Sequence, residues 1–109
     1  MPIQPYRDMW LIVLYDLPTL TVKQRKAYTK FHGFLEKKMF SMFQFSVYVR
    51  YCGSRQQLEH YEQLVESQLP PEGKVTIFHL TDKQFGMIKT FYGKSPVQKP
   101  NNPQQLELF

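Results

Sequence analysis

Trp10-Leu11-Ile12-Val13-Leu14-Tyr15 is a continuous apolar run, closed by Asp16-Leu17-Pro18. Its length and β-prone composition predict a central strand buried on both faces. Thr21-Val22-Lys23-Gln24 then has the form of a capping box, with Thr21 as N-cap and Gln24 three residues on. Ala27, Phe31, Phe34 and Leu35 follow at helical spacing. Lys23, Lys26, Lys30 and Lys37 occupy a neighbouring stripe of that helix. Gly33 lies in its interior, at a cost of about 1 kcal/mol relative to alanine. From Phe40 to Tyr51 the chain alternates: Phe43, Phe45, Val47, Val49 and Tyr51 on one side, Met42, Gln44, Ser46, Tyr48 and Arg50 on the other. This stretch reads equally as one long bent strand or as two short strands broken near Phe45-Ser46.

Ser54 and Gln57 repeat the capping-box pattern ahead of a second helix with the stripe Leu58, Tyr61, Leu64, Val65, Leu69. Pro70-Pro71-Glu72-Gly73 stops it. Lys74 to Leu80 reads as a strand, Thr81-Asp82-Lys83-Gln84 as a turn, and Phe85 to Tyr92 as room for a short further element. The order is strand, helix, strand or strands, helix, strand. That predicts an α+β, ferredoxin-like βαββαβ fold, an antiparallel sheet with two helices on one face. The other face needs cover, and a second copy is the simplest cover, hence an expected homodimer across the sheet. The domain is expected to span residues 1–92. Residues 93–109 form a Pro-, Asn- and Gln-rich tail, expected to be extended. It ends in Leu106-Glu107-Leu108-Phe109, an apolar cluster suited to docking on a partner as an added edge strand.

Composition narrows the class. The 109 residues fit one domain, and 42% hydrophobic with 16% aromatic content belongs to a folded chain. No apolar run has membrane-spanning length, and the N-terminus lacks a signal-peptide core, so a cytoplasmic location away from membranes is expected. Cys52 is the only cysteine, which excludes a disulfide framework or thiolate metal site. The net charge of +5 is carried by residues 1–50, which hold eight Lys/Arg against three Asp/Glu; residues 51–109 balance six against six. Such a distribution fits a polyanion such as nucleic acid, or equally a basic surface kept for solubility.

Two groups carry candidate chemistry. Asp16 ends the apolar strand and could ligate Mg²⁺, although one carboxylate makes a poor site unless a second copy brings another. The alternative is a loop-capping aspartate. Lys23, Arg25, Lys26 and Lys30 offer several cations on one helix, as phosphate binding requires, and no acidic residue lies between Thr19 and Leu35. The alternative is a solvated helix face. His32, His60 and His79 are scattered, without zinc spacing, and no local motif joins Ser46, His79 and Asp16 into a nucleophilic triad.

Three segments taken in order, LIVLYDLP at 11–18, FQFSVYVR at 43–50 and GKVTIFHLTDKQFG at 73–86, resemble the small CRISPR-associated second Cas subunit, most closely members from type II systems. The resemblance covers roughly residues 9–92. It implies a bacterial ferredoxin-like homodimer that holds duplex DNA and partners the CRISPR integrase, the first Cas subunit, in spacer acquisition. It also implies a metal-dependent endonuclease on RNA or DNA, with Asp16 as catalytic and metal-binding carboxylate, Mg²⁺ or Mn²⁺ as cofactor and Tyr15 beside it. Lys23, Arg25 and Tyr48 match nucleic-acid positions. Many members carry a basic residue where this chain has Met42. The expected function is a DNA-binding scaffold for the integrase. The alternatives are an endonuclease in its own right and a single-strand RNA-binding module with stacking aromatics on its sheet face.

Overall fold

The computed structural model describes residues 7–97. Strand β1 is Met9–Asp16, helix α1 Val22–Lys37, strand β2 Ser41–Gln44, strand β3 Val47–Cys52 and helix α2 Arg55–Ser67. Strand β4 is Lys74–Thr81, followed by a short helix α3 at Asp82–Gly86 and strands β5 at Thr90–Tyr92 and β6 at Ser95–Val97. The main sheet has the order β2-β3-β1-β4, every pair antiparallel. This is the ferredoxin-like βαββαβ arrangement. The apolar run lies where its composition demands, as an inner strand flanked on both sides.

Alternation along β1 divides the core in two. Met9, Leu11, Val13 and Tyr15 face the helices and pack with Phe31, Leu35, Tyr48, Leu58 and Val65. Trp10 and Ile12 face the other way, against Val49 and Phe85. Thr21 caps α1 with both halves of the capping box, as its sequence predicts. Ser54 caps α2, accepting from Gln57 N–H, but the Gln57 side chain accepts instead from Gly53 N–H at 2.9 Å, one residue early. Leu69 lies past the end of α2 and is exposed.

The segment 40–51 resolves into two strands. Ser46 takes φ +65 in the turn between them, and its carbonyl accepts a hydrogen bond from Tyr15 N–H at 3.1 Å. That left-handed residue breaks the alternation, so Phe45 leaves the face it would share with Phe43 and Val47. Thr81-Asp82-Lys83-Gln84 is no turn but the capping box and first turn of α3. This helix lies on the face opposite α1 and α2: Phe85 stacks on Trp10 at 4.1 Å, and Trp10 Nε1–H donates to Asp82 Oδ1 at 2.7 Å. Among the described residues β5 and β6 pair only with each other. The expected boundary at residue 92 falls inside this hairpin, so residues 95–97 are a strand and not loose tail. Among the described residues no helix is long and apolar enough to cross a membrane.

Candidate nucleic-acid interface

Asp16 shares its parity on β1 with Trp10, Ile12 and Leu14, so it belongs to the sheet face that the two long helices leave uncovered. It is exposed at the strand end. Its partner in the β1–β4 ladder is Lys74. The approach is made close by Gly73, which has φ +92; a Cβ there would stand 2.8 Å from the Asp16 carbonyl oxygen and 2.7 Å from Leu17 Cδ2. Only glycine satisfies both constraints. Mg²⁺ or Mn²⁺ needs several oxygen ligands. Among the described residues no three His, Cys, Asp or Glu side chains gather into such a set, and an ammonium stands across the ladder from Asp16. The described residues of a single copy do not form a metal site here.

The basic residues of α1 lie in the helix layer, on the far side of the sheet from Asp16, so the structure does not unite the two groups. Val22, Arg25, Lys26, Thr29 and Lys30 line one shallow groove along the outer face of α1. Lys23 instead borders a separate cleft with Pro71 and Glu72. Arg25 is partly committed: its Nη1 donates to the carbonyls of Thr19 at 3.1 Å and Leu20 at 2.9 Å. Gln24 Oε1 accepts from the amides of Leu20 and Thr21. Together they tie the loop after Asp16 to the helix, which leaves Lys26 and Lys30 as the groove's uncommitted cations among the described residues.

Tyr15 and Tyr48 do not reach the surface. Their relative exposures are 6% and 0%. Both rings sit in the helix-side core, stacked on each other at 6.2 Å, and neither presents a face to a nucleic acid. Burial raises both phenols above their ordinary range. The Tyr15 hydroxyl is buried without a hydrogen-bond partner among the described residues. Tyr48 is satisfied: its O–H lies 2.6 Å from His32 Nδ1, and His32 Nε2 lies 3.1 Å from Glu36 Oε1. Leu106, Leu108 and Phe109 lie outside the described residues.

Two residues at this end of the sheet escaped the sequence reading. Lys74 had no motif, only a place at the start of a strand, and its relation to Asp16 exists through the ladder register alone. Alternation puts Phe45 on an apolar strand face, yet it stands 76% exposed at the hairpin tip, with its ring stacked on Tyr28 at 6.5 Å. The Phe-Ser pair at the centre of a doubtful strand break was the available signal.

Residues 9–88 match the family described as CRISPR associated protein Cas2. The chain is 48% identical over 104 residues to the CRISPR-associated endoribonuclease Cas2 of Flavobacterium psychrophilum, covering 95% of this chain and 90% of the relative. It is 44% identical to the protein of the same name from Paracidovorax avenae, covering 95% and 96%, and 42% identical to that of Parvibaculum lavamentivorans, covering 93% and 100%. A crystal structure of Cas2 superposes with a TM-score of 0.55 at 25% identity, covering 84% of this chain and 95% of that one.

Proposed function

The chain belongs to the CRISPR associated protein Cas2 family, and from that premise we propose that it is a homodimeric, duplex-DNA-binding scaffold that serves the CRISPR integrase in spacer acquisition. The observation that carries this reading is the outer face of α1. Lys26 and Lys30 line a groove there, and no acidic residue falls between Thr19 and Leu35. Cations at helical spacing along one face meet phosphates without reading bases.

Dimerisation is supported by apolar surface that one copy leaves uncovered. Helix α3 shields the Trp10 end of the open sheet face, but Phe78, opposite Ile12 in mid-strand, is still 40% exposed. The β5–β6 hairpin carries exposed Phe91, Tyr92 and Val97, and a lone two-stranded hairpin is marginal in water. A second copy over this face would cover both. The integrase is the proposed partner of the tail residues Leu106, Leu108 and Phe109.

A second reading, a Mg²⁺- or Mn²⁺-dependent endonuclease, is favoured by the position of Asp16 on that same open face, where a second copy would supply the missing carboxylate. The relatives' names agree with it. For the RNA-binding module expected from sheet-face aromatics, Trp10 is not available, because it lies beneath Phe85 and is buried.

Asp16→Ala and the double variant Lys26→Ala/Lys30→Ala separate the readings. For the scaffold, Asp16→Ala leaves duplex affinity intact and removes any metal-dependent cleavage, while the lysine variant weakens binding to all duplex sequences alike. Spacer acquisition lost in a folded Asp16→Ala protein would overturn the scaffold reading and leave the nuclease.

A further inference from the structure

We propose that Phe45 is a stacking platform for an unpaired nucleobase, and that it seats a single-stranded end of nucleic acid at the Asp16 end of the sheet. The inference rests on the nucleic-acid reading above and adds a ligand class to it. Phe45 is 76% exposed, although it lies between two paired strands. The turn fixes it there, since Ser46 occupies the left-handed region at φ +65.

The ring does not float. It stacks on Tyr28 at 6.5 Å with planes 28° apart, and Tyr28 stacks on His32 at 6.2 Å with planes 11° apart. His32 is held on both nitrogens, by the Tyr48 hydroxyl and the Glu36 carboxylate. Three rings thus form a ladder whose inner end is locked into the core and whose outer ring stands largely in water. An exposed, pre-oriented ring on an aromatic stack suits a planar partner. Bases supply one without regard to sequence, and base–aromatic stacking needs no reorganisation of a ring already in place.

Position and charge favour a nucleic acid over a protein. The Ser46 carbonyl is bonded to Tyr15 N–H, so the hairpin tip is fastened to β1 one residue before Asp16. Tyr28 is carried by α1, the helix that also carries Lys26 and Lys30, and residues 1–50 hold a net +5. The positive charge of this half of the chain attracts a phosphate backbone, and an unpaired base of that strand is the planar partner Phe45 lacks.

The test measures binding of three labelled probes at fixed moderate salt: a blunt DNA duplex, the same duplex with a short unpaired DNA overhang, and one with an RNA overhang. Wild-type protein should bind one or both overhang probes about 5- to 100-fold more tightly than the blunt duplex. Phe45→Ala should lose that preference while keeping blunt-duplex affinity, and Phe45→Trp should retain it. A 2-aminopurine in the overhang should be quenched by the wild-type and Phe45→Trp proteins and not by Phe45→Ala. The two overhang arms tell a DNA end from an RNA end. A preference that survives Phe45→Ala, or an equal loss on blunt and overhang probes, would overturn the platform alone. Binding of no probe would overturn the nucleic-acid reading and the platform with it. Loss of integrase co-purification in Phe45→Ala, with all probe affinities unchanged, would make Phe45 a protein contact instead.

Discussion

Tyr51 shows how a single residue sets a pH limit. Burial and its hydrogen bond to Asp8 push its phenol up to about 12. A raised phenol favours the fold while it is neutral. Its contribution is complete below pH 10 and is lost as pH climbs from 10 towards 12. Tyr51→Phe should cost about 1 kcal/mol at neutral pH through the lost hydrogen bond. Between pH 10 and 12 its denaturation midpoint should fall less steeply than that of the wild type; equal slopes would contradict the assignment. Cys52 belongs to the same scale: burial pushes its thiol up to about 11, which fits the packing role its sequence position suggests. Tyr48, matched to a nucleic-acid position by the resemblance alone, is fully buried in the helix-side core. Alternation sorts residues into two faces but does not say which face meets the helices. The side of β3 bearing Tyr48 and Arg50 looks like solvent, yet the helices cover it. Arg50 lies there because its Nε donates to Lys38 carbonyl at 3.0 Å and its guanidinium sits 3.6 Å from the Tyr61 ring centroid. Arg25 is another such case: its charge is legible in the sequence, whereas its bonds to the Thr19 and Leu20 carbonyls depend on how the loop folds back.

Elements were the most legible level. The apolar strand, both long helices and their serine or threonine caps follow from local pattern, because caps and periodicity are local physics. The short helix α3 carries the same Thr-x-x-Gln signal, at Thr81 and Gln84, but five residues leave no apolar stripe to distinguish it from a turn. Its stability comes from docking on Trp10, which is tertiary. Two glycines test this local account in opposite directions. Gly33 lies inside α1 with open space around a prospective Cβ, so Gly33→Ala should stabilise by about 0.5–1 kcal/mol. Gly73, at φ +92 and pressed against Asp16 and Leu17, has no such room. Gly73→Ala should destabilise by more than Gly33→Ala gains, and it should disturb the Asp16–Lys74 register. Chemical denaturation of both variants checks this, and a neutral Gly73→Ala would mean that the close approach is not required.

For the whole molecule, the ferredoxin-like order is enough to predict that one sheet face is short of cover, and exposed Phe78 lies on it, while Phe91 and Tyr92 are exposed on the separate β5–β6 hairpin. What covers it depends on a surface outside this chain's own contacts, so no local pattern encodes it. Light scattering at micromolar concentration should give twice the chain mass, since a stable interface of about 1,000 Å² or more needs such a surface; a clean monomer would mean another cover. The central claim, that this protein grips duplex DNA through phosphates along α1, is tested most directly by duplex affinity as a function of salt. If a dimer neutralises about 6–10 phosphates, affinity should fall by roughly 10³ or more between low and moderate salt, with a shallower slope for Lys26→Ala/Lys30→Ala. An affinity indifferent to salt, or a slope unchanged by losing those two lysines, would contradict it.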